Sequence, residues 1–184
     1  MKLKIIANNA IHFTINRVIE IVGVTILISG ALILASLTSF SPDDPNFIFP
    51  DNTEIKNILG FYGSFTADIF FQSFGVIALL IPFSLIISGL NVILNKKVFL
   101  IIESIFYTVL YSLLGSLFFT VFYPITFKLY INGNGGFIGR YLETTFLNSV
   151  INIESQISYY IFILSILFLF LISIHFKMKY FYKR

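Results

Sequence analysis

Four stretches of this chain carry no charged residue, and each is long enough to cross a bilayer. They run from Ile21 to Pro42, Ile69 to Asn95, Ser104 to Phe127 and Ser155 to Phe176, and contain 22, 27, 24 and 22 residues. About 20 apolar residues in a helix cover the hydrocarbon core, and the longer second and third runs leave room for tilt. Lipid offers no hydrogen-bond partner, so the backbone must satisfy itself. Apolar residues in these runs do not alternate with polar ones, which argues against barrel strands. The expected fold is therefore an all-α membrane protein, a single integral membrane domain over residues 1–184. Its four transmembrane helices are expected near 21–42, 69–95, 104–127 and 155–176. A signal peptide is a poor reading of the first run, because the run is too long and Ser39-Phe40-Ser41-Pro42 makes a poor cleavage site.

Composition agrees. With 57% hydrophobic residues, 11% charged and a mean hydropathy of +0.91, both a water-soluble domain and a disordered chain are excluded. The absence of cysteine removes disulfides, thiolate metal sites and a cysteine nucleophile.

Charges collect at the edges of the runs. Glu20, Asp68, Glu103 and Glu154 each stand before a run, and Lys96 with Lys97, then Lys128, then Lys177 follow three of them. Acids suit helix N-termini and cations suit C-termini, so the acids are expected at helix starts rather than in a proton relay within the membrane. Nine of the 12 Lys and Arg residues fall in the N-terminal segment, the 96–103 link and the tail; the others are Lys56, Lys128 and Arg140. Excess Lys and Arg marks the cytoplasmic face. Both termini are thus expected in the cytoplasm of a bacterial cell, with multi-pass insertion in the inner (plasma) membrane and outward loops at 43–68 and 128–154. Aromatic residues interleave with the cations of the tail Lys177–Arg184, which suits an interfacial anchor; no direct nucleic-acid binding is expected.

The two outward loops share a pattern. Gly60-Phe61-Tyr62-Gly63-Ser64-Phe65 matches Gly136-Phe137-Ile138-Gly139-Arg140-Tyr141, 76 residues later. The chain thus reads as two repeated helical hairpins of like topology. Glycine permits positive φ or close backbone approach. Phe137, Ile138, Tyr141, Leu142 and Thr145 share a helical face, which predicts a short interfacial helix. The segment Asn132-Gly133-Asn134-Gly135-Gly136 must be a turn; it lacks the Gly-Lys-Ser/Thr ending of a phosphate loop. Pro42-Asp43-Asp44-Pro45 cannot continue a helix, and its two acids read as a solvated exit rather than a metal site.

Catalysis is not expected. His12 and His175 read as separate interfacial residues, no His/Asp/Glu cluster has metal-ligand spacing, and no base faces a nucleophile within the spans. Neither cofactor nor metal is expected. The second run does hold Gln72, Ser73, Gly75, Pro82, Ser84, Ser88, Gly89 and Asn91. Pro82 should kink the helix, and a broken polar helix is what a small transporter or channel subunit would want. Small and polar residues also hold helices together. With no charge in the run, packing through Gly75 and Ser84–Gly89 is the favoured reading.

Three segments resemble one family. Ser39-Phe40-Ser41-Pro42-Asp43-Asp44-Pro45 is similar to the exit of the first span in FtsK/SpoIIIE DNA translocases. Asn57 through Pro82, with Gly60, Gly63, Ala67-Asp68, Phe74-Gly75 and Pro82, resembles their entry into the second span. Asn132 through Gly139 is similar to their glycine-rich loop before the last span. The likeness runs from about Arg17 to His175. It implies an inner-membrane anchor at the division septum that oligomerises and tethers an ATP-driven DNA pump, serving cell division and chromosome segregation. The motor and DNA-reading domains of that family, and any Walker A sequence, are not found in these 184 residues. The expectation is a non-catalytic anchor and assembly module, either encoded apart from its motor or a truncated remnant. The partners expected are the lipid bilayer, further copies of the chain, division proteins and a separately encoded motor ATPase.

Overall fold

The computed structural model describes residues 2–45, 54–124, 132–147 and 156–175. The expectations for Lys128, Glu154 and the tail Lys177–Arg184 lie outside the described residues. The described elements are six α-helices: α1 (Lys2–Thr38), α2 (Gly60–Phe74), α3 (Ile81–Asn95), α4 (Phe99–Phe122), α5 (Gly136–Leu142) and α6 (Gln156–Ser173). A 3-10 segment, Gly75–Leu80, joins α2 to α3, and one π turn, Glu143–Leu147, follows α5. Four stretches have the length and apolarity to cross a membrane: Asn9–Thr38, Gly60–Asn95, Phe99–Phe122 and Gln156–Ser173. The molecule is a multi-pass, all-α membrane protein.

Helix α1 has 37 residues and is about 55 Å long at 1.5 Å per residue, well beyond the hydrocarbon thickness. It ends at Thr38, short of the expected Pro42. The Thr38 hydroxyl donates to the Leu34 carbonyl at 2.8 Å and the Ser39 hydroxyl to the Ala35 carbonyl at 2.7 Å, and Pro42 cannot extend the ladder. Helix α4 likewise starts and stops five residues before the expected 104–127, with Pro124 just past its end.

The acids are not at helix starts. Glu20 sits well inside α1, Asp68 lies in the middle of α2, and Glu103 follows the first turn of α4. Their helices continue past the apolar runs, because a helix that leaves the hydrocarbon need not stop there. Partners replace the dipole as the explanation. Glu20 pairs with Arg17 at 2.6 Å and with Lys96. Glu103 meets His175 at 3.2 Å. The Gln72 amide lies 3.5 Å from the Asp68 carboxylate.

The second run differs most from expectation. As one straight helix Gly60–Asn95, with 36 residues, would measure about 54 Å. The break comes at Gly75–Leu80 and not at Pro82, which sits in the first turn of α3, where its missing N–H costs no bond. Both sides of the break reach the same end of α1: Leu37 packs with Ala67 and Phe71 of α2 and with Ala78 of the 3-10 segment. Helix α2 therefore lies across the tip of α1. The 3-10 segment and α3 then run down its side, where Gly30 faces Ile86, Gly23 faces Gly89, and Glu20 meets Lys96.

Glycine sets the α1–α3 distance, since a Cβ on Gly89 would stand 2.7 Å from the Gly23 carbonyl oxygen. Three spanning helices meet through hydroxyls: Ser84 of α3 bonds both Tyr111 of α4 and Ser173 of α6, each at 2.9 Å. The ring of Tyr111 stands edge-on to Phe170, centroids 5.7 Å apart. Near the other end of that pair, Phe118 packs against Tyr159 at 5.4 Å, and the Tyr123 and Tyr159 hydroxyls bond at 2.8 Å.

Two units of like order result. In each, a spanning helix leads through a turn into a helix opened by glycine, and a second spanning helix returns beside the first: α1–α2–α3 and α4–α5–α6.

Candidate functional site

The sequence-predicted residues, apart from Asp68 in α2 and Pro82 in the first turn of α3, gather into two junctions at one end of the bundle. The first closes α1 onto α2. Asp44, buried, accepts the backbone N–H groups of Lys56 at 2.8 Å and Asn57 at 2.9 Å. Asp43 is exposed and pairs with Lys56 at 3.0 Å. The Ser64 hydroxyl donates to the Pro45 carbonyl at 2.9 Å, and Pro42 lies on the exposed turn between. The buried Asn57 amide donates to the Ser36 carbonyl at 2.9 Å and to that of Ser39 at 3.3 Å. The Ser36 hydroxyl donates to the Gly63 carbonyl. A Cβ on Gly63 would overlap Asn57 Oδ1, at 2.1 Å. The expected solvated exit thus holds for Asp43 but not for Asp44, whose carboxylate is buried because two backbone N–H groups replace its water; both acids hold the chain to itself, which opposes a shared role as cation ligands.

The second junction closes α4 onto α5 and onto the break between α2 and α3. The Val76 N–H donates to the Asn134 carbonyl at 2.9 Å, and the Ser116 hydroxyl to the Phe74 carbonyl at 3.0 Å. These bonds satisfy backbone that the helix break would leave unpaired in an apolar medium. Asn134 is buried, and its amide donates to the Tyr123 carbonyl. No Cβ fits at Gly75, Gly135, Gly136 or Gly139: each would lie 2.5 Å or less from a backbone or hydroxyl oxygen of Asn134, Ser73, Ser116 or Thr120. Gly133 is roomier but has φ +76.

The repeat read from sequence is a repeat of structure. Gly60 and Gly136 open α2 and α5 with φ of 64° and 67°. Each N–H turns back to the carbonyl three residues earlier, Asn57 at 2.9 Å and Gly133 at 3.2 Å. The second glycine of each copy is buried: the Gly63 carbonyl accepts the Ser36 hydroxyl near the end of α1, and Gly139 faces Ser116 and Thr120 near the end of α4. A short helix does form here, α5, with the Phe137 and Tyr141 rings exposed and stacked at 6.2 Å; Thr145 falls beyond it, in the π turn.

The packing reading of Gly75 and Gly89 is met from within the chain, by the Asn134 loop and by α1. Sequence reasoning missed Asn57, Asn134, Ser36, Ser116 and Thr120. The available signal was local: Asn57 precedes Gly60, and Asn134 interrupts the glycines before the second copy. Among the described residues no three His, Asp or Glu side chains converge as metal ligands.

A family model describing the 4TM region of DNA translocase FtsK/SpoIIIE matches residues 16–181. The chain belongs to the FtsK/SpoIIIE four-transmembrane family. Both junctions and all four candidate spans lie largely or wholly inside that match, which concerns the membrane part of these translocases rather than the motor. Among FtsK relatives, a protein of Rickettsia bellii (strain RML369-C), named DNA translocase FtsK, is 36% identical over 72 residues, 39% of this chain and 10% of its own length. One of that name from Rhizobium meliloti (strain 1021) is also 36% identical over 72 residues, 38% of this chain and 8% of its own. A third, from Rickettsia prowazekii (strain Madrid E), is 30% identical over 82 residues, 43% of this chain and 11% of its own. The aligned stretches thus span about a tenth of these FtsK proteins. No solved structure matches.

Proposed function

We propose that this FtsK-family membrane domain is a non-catalytic anchor and assembly module of the bacterial inner membrane, serving cell division and chromosome segregation. The observation that carries the reading is how the polar side chains of the two junctions are used. Asp44, Asn57, Ser36, Ser116 and Asn134 bind backbone and fix helices, which builds a stiff frame rather than a reactive centre. Both termini lie in the cytoplasm, consistent with Lys96 and Lys97 standing at the same end of the bundle as Arg17. The partners are further copies of the chain and division proteins. With Gly75 and Gly89 occupied from within, copies meet through the outward face, where Ile58 is 78% exposed and Tyr62 is 82% exposed.

The test is a fluorescent fusion imaged in dividing cells, together with native gel analysis of the purified protein. Enrichment at the septum and a discrete oligomer are expected. Replacing Tyr62 with Lys should abolish the oligomer but leave insertion intact. Uniform membrane fluorescence and a monomer would reject the reading. Saturable uptake of a radiolabelled solute into liposomes would favour a small transporter or channel subunit instead. The Ser84–Tyr111–Ser173 bonds weigh against that, since these hydroxyls already join three helices. A reporter joined after Arg184 should be active only in its cytoplasmic form.

A further inference from the structure

One face of α4 changes character along its length. Leu110, Leu113, Leu114 and Leu117 recur at helical spacing and form the floor of an apolar groove of about 450 Å³, walled by Phe162 and Leu169 of α6. The same face continues as Thr120, Val121 and Pro124, which floor a polar pocket of about 360 Å³. Helix α5 and the turn after it span the change: Leu142 lines the groove, while Arg140, Glu143 and Thr144 line the pocket. The pocket stands at the end of α4, where a spanning helix reaches the headgroup layer. An apolar trough leading into a dipolar pocket at that depth has the shape of a lipid rather than of a water-soluble ligand.

The polar groups narrow the headgroup. Arg140 and Glu143 are three residues apart and neighbours on one helical face, so cation and anion lie side by side. A guanidinium suits a phosphate. A carboxylate suits an ammonium. A primary ammonium offers that carboxylate three N–H donors. We infer that the α4–α5–α6 groove binds one phospholipid with a zwitterionic phosphate–primary ammonium headgroup, a phosphatidylethanolamine. The phosphate lies against Arg140, the ammonium against Glu143, and an acyl chain along Leu117 to Leu110. A choline headgroup has no N–H to give, and a glycerol headgroup has no cation for Glu143.

The inference is independent of the anchor reading. It is tested by native mass spectrometry of the full chain, released from detergent containing equimolar phosphatidylethanolamine, phosphatidylcholine and phosphatidylglycerol with the same acyl chains. One ethanolamine lipid per chain is expected, retained about tenfold over the choline lipid, roughly 1.4 kcal/mol. Glu143→Gln, which keeps the side-chain shape, should erase the preference for ethanolamine. Leu114→Trp should lower retention of all three lipids by about tenfold, and Lys56→Ala should change nothing. Circular dichroism and gel filtration verify that each variant is folded. Equal retention of the three lipids, wild-type preference in Glu143→Gln, or a groove filled by a second chain would each overturn the proposal. The last would appear as a lipid-free dimer lost in Leu114→Trp.

Discussion

The carbonyl oxygen of Asn134 lies 1.9 Å from the point where a Cβ on Gly75 would stand. That oxygen also accepts the N–H of Val76, so the residue that forbids a side chain at the break is the one that satisfies the break's backbone. Gly75→Ala must therefore both collide and disconnect. A loss of at least about 3 kcal/mol is expected, read as a fall in the unfolding midpoint in mild detergent. Gly60→Ala is the contrast. A Cβ there meets nothing within 4 Å and suffers only from φ of +64°, so about 1 kcal/mol is expected.

Asp43 and Asp44 are adjacent but not equivalent. Asp44→Ala removes a buried carboxylate from two backbone N–H donors and should cost about 2 kcal/mol. Asp43→Ala removes an exposed ion pair with Lys56 and should cost about 0.5 kcal/mol or less. Urea titration of the two variants in detergent checks the order; similar losses would mean that Asp44 is not the latch.

Ser84 bonds two other helices, so its loss should be felt in both. Ser84→Ala, Tyr111→Phe and Ser173→Ala should each cost about 0.6 kcal/mol and not more than about 1.7. The double variants Ser84→Ala/Tyr111→Phe and Ser84→Ala/Ser173→Ala should be less than additive. Steric-trap unfolding in bicelles gives the values, and strict additivity would show the hydroxyls to be independent.

At the opposite end, Lys96 reaches Glu20 across the α1–α3 pair. Glu20→Lys and Lys96→Glu should each destabilise the protein slightly, and the exchanged pair should recover part of that. The effect should shrink in high salt. The readout is the melting temperature at two ionic strengths, and an exchanged pair no better than the single variants would refute the link.

The spanning helices were legible in the sequence because a bilayer imposes one length scale, and runs of uncharged residues report it directly. The repeat was legible because glycine is demanded by backbone geometry: Gly60 and Gly136 share a positive φ that the matched letters encode. Less legible was whatever depends on distant partners. Glu20, Asp68 and Glu103 stand where charge begins, not where helices begin; Gln72 is legible four residues after Asp68 on one helix, but nothing local announces Lys96 or His175 as companions of Glu20 and Glu103. The break at Gly75–Leu80 was expected at Pro82, since proline is the local signal for a kink. Its cause lies instead in the Asn134 loop, a tertiary contact that a local pattern does not carry. Asn134 stands between two glycines and reads as ordinary turn chemistry, and Asn57 has only Gly60 three residues on as a local cue, whereas both amides are buried and reach carbonyls at the ends of helices.

The bond between Val76 and Asn134 also sets an order of events during synthesis. Val76 leaves the ribosome before α4 exists, and its acceptor follows α4. The first hairpin must therefore enter the bilayer with its bend unlatched, and wait for later-made chain to close it.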